Sequence, residues 1–167
     1  MNIRLEDTVD IPAIHRVEQA AFGRAAEADL VDVLRANGKA TLSLVAEEGG
    51  EIVGHVFFSP VALRTENGEH AALGLGPVAV LPERQGQGIG SALIRRGLEM
   101  LPPELAVFLE GSPKYYPRFG FVDAAEFGIK CQFNPPPGCF MVHAPVPEGL
   151  LGLKGTIYYS EEFETVE

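Results

Sequence analysis

An apolar run, a glycine-rich turn and a helical pattern follow one another between Ala71 and Leu101, and this succession limits the fold more than any other part of the chain. The run from Ala71 to Val80 predicts a strand, and apolar residues at helical spacing predict a helix from Gly88 to Leu101. A further strand is predicted from Leu105 to Glu110. Because strand, helix and strand in this order form a βαβ unit, we expect the two strands to be parallel neighbours in one sheet.

Helices precede this unit and strands surround it. A short strand is predicted at Ile3 to Leu5, a first helix ends at Phe22-Gly23, and a second helix runs from Ala26 to Arg35. The inward face of the second helix is predicted to hold Leu30, Val33 and Leu34. Further strands are predicted at 42–47, 51–63, 125–131, 139–145 and 155–160. We expect one α/β domain over residues 1–167, with a mixed sheet and helices on both faces.

Charge and the N-terminal residues exclude several classes of function. The chain has 23 acidic and 13 basic residues, and its formal net charge of -10 opposes binding to nucleic-acid phosphates. Met1 to Asp7 contains acids where a signal peptide has its apolar core, and no apolar run is long enough to cross a membrane. Cys131 and Cys139 lack zinc-site spacing. We therefore expect a cytoplasmic protein without a metal, a nucleic-acid partner or a membrane partner.

The glycine-rich turn has the chemistry of an anion site. Gly86, Gly88 and Gly90 permit positive φ angles and a close approach of a ligand to the backbone. The helix that follows starts with unpaired N–H groups and a partial positive charge. The turn is neither a P-loop nor a dinucleotide fingerprint, since Ser91 stands where the fingerprint needs glycine. Three glycines alone are equally compatible with a turn that binds nothing.

Two motifs carry a resemblance to a known family. The segment Gln85-x-x-Gly88-x-Gly90, preceded by Val78-Ala79-Val80-x-Pro82, resembles the acetyl-CoA signature of the GNAT superfamily of N-acetyltransferases. The segment Tyr115-Tyr116-Pro117-Arg118-Phe119-Gly120-Phe121 resembles its second hallmark and is similar to a run found in a small bacterial subgroup. The resemblance reaches from the first strand to about Phe121. It implies a GNAT-like α/β fold, with a mixed, mostly antiparallel sheet, helices on both faces and a splayed central pair of parallel strands.

The resemblance also implies acetyl-CoA as cosubstrate. The pyrophosphate would lie on backbone N–H groups of the turn, and the pantetheine arm would pair like an extra strand at Val78 and Val80. The implied cofactor-binding residues are Val78, Ala79, Val80, Gln85, Gly86, Gln87, Gly88, Ile89, Gly90 and Ser91. The family has a local break in strand pairing that admits the arm, and this break would account for the unusual strand residues Gly74, Gly76 and Pro77.

The reaction implied by the resemblance is attack of an amine on the acetyl thioester. Tyr116 matches the family's donor to the leaving sulfur, and the backbone N–H of Val78 is the candidate donor to the oxyanion. The base stays open, since Gly74 and Gly76 stand where many relatives carry a glutamate. Glu110 is a candidate that would order a water, and its alternative is a solvated strand end. His55 and Glu27 are two further candidates for the base. The alternative for His55 is a packing residue, and the alternative for Glu27 is a helix cap.

These residues predict direct acetyl transfer to a primary amine. The missing glutamate motivates an alternative function, that of a non-catalytic acyl-CoA-binding sensor or module. A third possibility is a transferase that uses a longer acyl group or another acceptor nucleophile. The net charge is -6 over residues 1–70, zero over 71–130 and -4 over 131–167, which favours a cationic small-molecule or peptide acceptor through electrostatic steering. The C-terminal strands are predicted either to cover a sheet edge or to form the seam of a homodimer.

Overall fold

Nine strands and three α-helices form the part of the chain that the computed structural model describes, residues 1–150 and 152–166. The helices are α1 (Ile11–Phe22), α2 (Ala26–Ala36) and α3 (Ile89–Met100). The strands are β1 (Asn2–Leu5), β2 (Leu42–Glu48), β3 (Glu51–Thr65), β4 (Gly68–Val80), β5 (Val107–Glu110), β6 (Val122–Asp123), β7 (Ile129–Cys131), β8 (Phe140–His143) and β9 (Gly155–Tyr159). None of these helices is both long and apolar enough to cross a bilayer.

The strands form one open, mostly antiparallel sheet in the hydrogen-bonded order β1-β2-β3-β4-β5-β8-β6, and β9 pairs with β3 and β7. The predicted parallel pair is confirmed: β4 and β5 are parallel, with Leu73 opposite Val107 and Gly74 opposite Phe108. Two residues later, Gly76 has a φ of +138°, which side-chain-bearing residues rarely adopt. The backbone of β4 therefore departs from a regular strand at Gly76, whereas Gly74 is still paired with β5, and the predicted break in pairing that admits a ligand stays a prediction.

Strands β3 and β4 each run through two compact units of the chain. The first unit contains residues 1–59, 75–100 and those from 162 onward, and the second contains 60–74 and 101–161. In the first unit the core is formed by side chains such as Ile14, Leu34 and Leu93. In the second it surrounds the fully buried ring of Phe108, which stacks on Phe140 with ring centroids 5.5 Å apart. That residues 1–167 act as one domain stays a prediction.

Two expectations about local structure are wrong. Val33 is 41% exposed, because the buried face of α2 also includes Ala28 and Val31, and Val33 lies about 160° from Val31 around the helix. The predicted strand at 125–131 begins only at Ile129, since Ala124–Phe127 forms a 3₁₀ turn. The Asp123 carboxylate accepts a hydrogen bond from the N–H of Ala125 at 3.0 Å and starts this turn.

Helix α3 approaches the sheet closely at a glycine. A Cβ atom at Gly97 would lie 2.5 Å from Cε2 and 2.7 Å from Cζ of Phe58, whose ring is fully buried. We expect Gly97→Ala to lower the free energy of unfolding by about 1–3 kcal/mol, because the crowded ring has no room to move. This overrides the roughly 1 kcal/mol by which alanine favours a helix over glycine.

Urea denaturation measures this change. Glu99→Ala, on the exposed side of the same helix, is the control and should stay within about 0.5 kcal/mol of the unchanged protein. A Gly97→Ala protein that is more stable than the unchanged protein would contradict the proposed crowding.

Candidate functional site

The turn between β4 and α3 presents its backbone openly in the first unit. After Val80 the chain forms a short 3₁₀ turn at Pro82–Arg84, and α3 begins at Ile89. Gly86 and Gly88 have φ angles of +77° and +84°, and a Cβ added to either would meet no atom within 4 Å. Gly86 to Gly88 are exposed and are followed directly by a twelve-residue helix, whose first turn has the positive end of the helix dipole and suits an anion.

Hydrogen bonds and packing fix this turn in place. The N–H of Leu81 donates to the carbonyl of Val53 at 2.9 Å, and the Arg84 guanidinium forms an ion pair with Glu48. The side chain of Ile89 is buried against β3, where a Cβ added at Gly54 would lie 2.9 Å from its Cγ2. The turn is therefore ordered by the first unit itself.

The end of β4 alternates in exposure, as expected for a strand with one covered face. Val78 and Val80 are half-buried, whereas Ala79 is buried. The side-chain amide of Gln85 donates to the carbonyl of Val80 at 3.1 Å. One of the two positions predicted to pair with a pantetheine arm thus already carries a hydrogen bond within the chain.

An aromatic cluster surrounds Tyr116 in the second unit. Tyr116 begins a 3₁₀ turn, and its ring meets Tyr115 edge-on with centroids 5.0 Å apart and Phe121 at 5.9 Å. A Cβ added at Gly111 would collide with the Tyr116 ring. Burial, and to a smaller extent Tyr115, raise the pKa of the Tyr116 hydroxyl. The hydroxyl therefore stays protonated and available as a hydrogen-bond donor beyond the usual range of tyrosine.

Two titratable groups lie on the paired strands β5 and β8. Glu110 ends β5 opposite Phe140, and desolvation raises the pKa of its carboxyl group. His143 lies opposite Val107, and burial lowers the pKa of its imidazole. Both shifts favour the uncharged forms, so Glu110 holds a proton more readily than a solvated glutamate. His143, to which the sequence assigned no role, packs against Phe121 with ring centroids 5.4 Å apart.

The other two candidate bases are engaged in structural contacts. His55 is fully buried, and its ring nitrogens lie 2.7 Å from Glu18 Oε2 and 2.8 Å from Ser43 Oγ. Glu27 is buried and forms an ion pair with Arg24. The contacts of His55 correspond to the packing alternative, whereas Glu27 does not cap α2, whose N-cap is Ala25 without a side-chain hydrogen bond.

Glu18 was missed by the sequence analysis, although a signal for it exists. It follows Ile14 by four residues, which places this acid on the apolar stripe of α1, and it is fully buried. An acid on the core side of a helix needs a partner. Here the partner is the His55 imidazole.

Potential metal ligands converge at one place among residues 1–150 and 152–166. His15, Asp29 and Asp32 offer ligand atoms that all lie within 4.8 Å of one another. Asp32 is already compensated, since its oxygens lie 2.7 Å from His15 Nδ1 and 3.3 Å from an Arg35 nitrogen. The absence of a metal stays a prediction.

Comparison with known proteins identifies relatives across the chain. Residues 2–123 match the family model of the GNAT acetyltransferase domain. The chain is 37% identical over 166 residues to the uncharacterised N-acetyltransferase YhbS of Escherichia coli, covering 98% of both proteins. It is 41% identical over 125 residues to YjhQ of the same organism, covering 72% of this chain and 69% of YjhQ.

Two solved structures resemble the chain along most of its length. The crystal structure of E. coli YhbS in complex with CoA has a TM-score of 0.90 and 36% identity, and the match covers 98% of this chain and 91% of that one. A GNAT family acetyltransferase from Brucella melitensis in complex with acetyl-CoA has a TM-score of 0.79 and 38% identity, with 97% of each chain covered. The predicted GNAT-like fold is confirmed.

The buried hydroxyl of Tyr116 should be detectable by spectrophotometric titration. Because burial raises its pKa, we expect Tyr116 to ionise at a higher pH than a solvated tyrosine. Absorbance at about 295 nm against pH should therefore show a late phase that Tyr116→Phe removes and Tyr158→Phe keeps. Loss of an early phase in Tyr116→Phe would contradict the assignment.

Proposed function

Because the chain belongs to the GNAT family of N-acetyltransferases, we propose that it transfers the acetyl group of acetyl-CoA directly to a primary amine, without a covalent acetyl-enzyme. The observation that carries the proposal is the open glycine turn at the start of α3, with positive φ at Gly86 and Gly88. Complexes of two relatives with CoA and acetyl-CoA support acetyl-CoA as the cosubstrate. A cytoplasmic location and a homodimer stay predictions.

The turn is the proposed site of the cofactor's pyrophosphate. Backbone N–H groups of this turn would donate to the phosphate oxygens, and the positive end of α3 would stabilise their charge. Within the stretch from Gln85 to Ser91, the N–H of Gln85 already donates to the carbonyl of Pro82 at 3.4 Å. Side chains at Gly86 and Gly88 would cover this backbone. Val78, Ala79 and Val80 are proposed to line the pantetheine arm.

Tyr116 is the proposed donor to the departing thiolate. A free phenol is a weaker acid than a free thiol by about 1.5 pKa units, so full proton transfer to the thiolate is unfavourable. Burial raises the pKa of Tyr116 and increases this difference. We therefore assign Tyr116 a hydrogen bond to the sulfur, which stabilises the thiolate until a proton arrives from solvent.

The roles of oxyanion donor and general base are proposed from the chemistry of the candidate groups. The backbone N–H of Val78, two residues after the irregular Gly76, is the proposed donor to the oxyanion. Glu110 is proposed to order the water that removes the amine proton, and its raised pKa suits a proton acceptor. His55 is fully buried with both ring nitrogens hydrogen-bonded, so it is not proposed as the base.

A cationic acceptor is proposed from the distribution of charge. Residues 1–70 and 131–167 have net charges of -6 and -4, whereas residues 71–130 are neutral. Part of this acidity is compensated locally, since Glu6 pairs with Arg35 and Glu162 pairs with Lys39. The excess acts as a long-range field on the approaching amine, and its effect should decline with added salt.

Gly88→Ala tests the cofactor turn. The added Cβ and the strained backbone should weaken acetyl-CoA binding by about tenfold or more, measured by isothermal titration calorimetry. Gly138→Ala is a matched control, because Gly138 has a φ of +83° and equally open surroundings outside the turn. Equal affinity in the two variants would contradict the proposed pyrophosphate site.

Tyr116→Phe tests the chemical step. We expect kcat to fall by roughly 100-fold while KM for acetyl-CoA changes little, because only the thiolate contact is lost. Release of free thiol with a panel of amines measures the rate, and Tyr158→Phe is the control. Unchanged kcat would overturn the role of Tyr116, and tight acetyl-CoA binding without thiol release in the unchanged protein would favour the alternative of a non-catalytic acyl-CoA-binding module.

A further inference from the structure

A buried chain of hydrogen bonds crosses the first unit. Glu18 Oε2 lies 2.7 Å from His55 Nδ1, and His55 Nε2 lies 2.8 Å from Ser43 Oγ. The Ser43 hydroxyl donates to Glu6 Oε1, and Glu6 accepts two hydrogen bonds from Arg35 at 2.7 and 2.9 Å. Glu18 and His55 are fully buried, so solvent does not reach this end of the chain.

The donors and acceptors fix the position of each proton. Glu6 is ionised, because hydrogen bonds from Arg35 and Ser43 outweigh its desolvation and lower its pKa. The Ser43 hydroxyl therefore gives its one hydrogen to Glu6 and must accept at its other side. It follows that His55 Nε2 carries a hydrogen and donates to Ser43.

One mobile proton remains between His55 and Glu18. An unprotonated Nδ1 facing a carboxylate at 2.7 Å would repel it, so the short contact requires a proton between the two atoms. The proton belongs either to a neutral carboxyl group or to an imidazolium, and the pair has no net charge in both cases. Glu18 Oε1 is buried and has no hydrogen-bond partner among the described residues.

The residues of β3 around His55 also hold the glycine-rich turn between β4 and α3, called the cofactor turn below. Neighbouring residues of a strand face opposite sides of the sheet. Gly54 faces α3, since a Cβ there would lie 2.9 Å from Ile89 and 3.0 Å from Leu93, and His55 faces Glu18 of α1. Val53 accepts the hydrogen bond from Leu81 that anchors the start of the turn. Three consecutive residues thus hold α1, the first turn of α3 and the start of the glycine-rich turn.

We propose that Glu18 and His55 form a positioning pair for the cofactor turn, and that their shared proton keeps β3 in the arrangement on which Leu81 and Ile89 rest. The inference depends on the proposed function only in taking acetyl-CoA as the ligand of the turn. The pair does not touch the reacting atoms, so it acts on cofactor affinity rather than on the chemical step.

The charges around the pair set the direction of its pH dependence. Glu27 of α2 and Glu6 after β1 are the acids that face it. Arg24 pairs with Glu27 and Arg35 pairs with Glu6, and Ser43 is the neutral neighbour on β2. Loss of the shared proton leaves a buried carboxylate that Glu27 repels. Burial raises the pKa of Glu18, so the stabilisation is complete in acid and is lost as the pH rises through this raised value.

Glu18→Gln separates the shared proton from the rest of the site. The glutamine amide donates to Nδ1 as a protonated carboxyl group would, and it does not titrate. We expect the acetyl-CoA Kd of the unchanged protein to rise by up to tenfold per pH unit once the pair deprotonates, whereas that of Glu18→Gln should lack this rise. Glu51→Gln, an exposed change of the same kind at the start of β3, should keep the original profile.

Calorimetry from pH 5, near the ordinary pKa of a glutamate, up to pH 10 measures these affinities. The dependence of kcat on pH should be identical in the three proteins, because the pair does not act on the chemical step. Coincident Kd profiles of the unchanged protein and Glu18→Gln, with acetyl-CoA still bound, would overturn the positioning pair and leave the proposed function intact. If acetyl-CoA does not bind to the unchanged protein at all, the proposed function fails instead.

A spectroscopic measurement covers the case in which Glu18→Gln does not fold. The ¹⁵N NMR spectrum of the His55 ring should show a protonated Nε2 that donates to Ser43. By linkage, acetyl-CoA should raise the pH at which the pair loses its proton. An unprotonated Nε2, or a titration that acetyl-CoA leaves unchanged, would overturn the proposal.

Discussion

The first unit depends on the way in which β3 is covered on both faces at Val53, Gly54 and His55. A glycine on one side lets α3 lie directly on the strand, and a histidine on the other side bonds to the buried acid of α1. The backbone between them receives the hydrogen bond from Leu81. Because these contacts share three consecutive residues, we expect a substitution at any one of them to alter the packing of both helices and of the turn.

Small residues do much of the positioning in this protein, each for a different reason. Gly54 and Gly97 have no side chains that would separate α3 from the sheet, so the helix packs directly against Phe58. Gly86 and Gly88 serve conformation and leave their backbone accessible. Gly111 leaves room for the ring of Tyr116. The same residue type therefore packs the core at some positions and opens the surface at others.

The elements with strong local signals were predictable from the sequence. The parallel β4–β5 pair follows from the order of strand, turn and helix, and α1 ends as predicted at Gly23, where φ is +69°. The two errors have different causes, the direction in which a helix position points and a single capping contact. Val33 is apolar at a position rotated away from the core, and the Asp123 cap turns the chain before Ile129.

The candidate site was also predictable from the sequence only in part. Motifs indicate the glycine turn and Tyr116, because local sequence determines a turn and an aromatic cluster. The Glu18–His55–Ser43 contacts join residues 37 and 12 positions apart, so no local pattern encodes them. The contact between Gln85 and Val80 depends on a rotamer, which composition does not determine.

That contact between Gln85 and Val80 changes the energetics of occupying the strand end. The carbonyl of Val80 already accepts one hydrogen bond from an amide of the same chain, so an amide of the proposed pantetheine arm would either replace this bond or use the second lone pair of the oxygen. Where the bond is replaced, the number of hydrogen bonds at Val80 would stay the same, so Val80 would fix the register of the proposed arm more than its affinity. A Gln85 side chain displaced in this way would have to find a new partner or return to solvent, and its position would therefore report whether the proposed arm is bound.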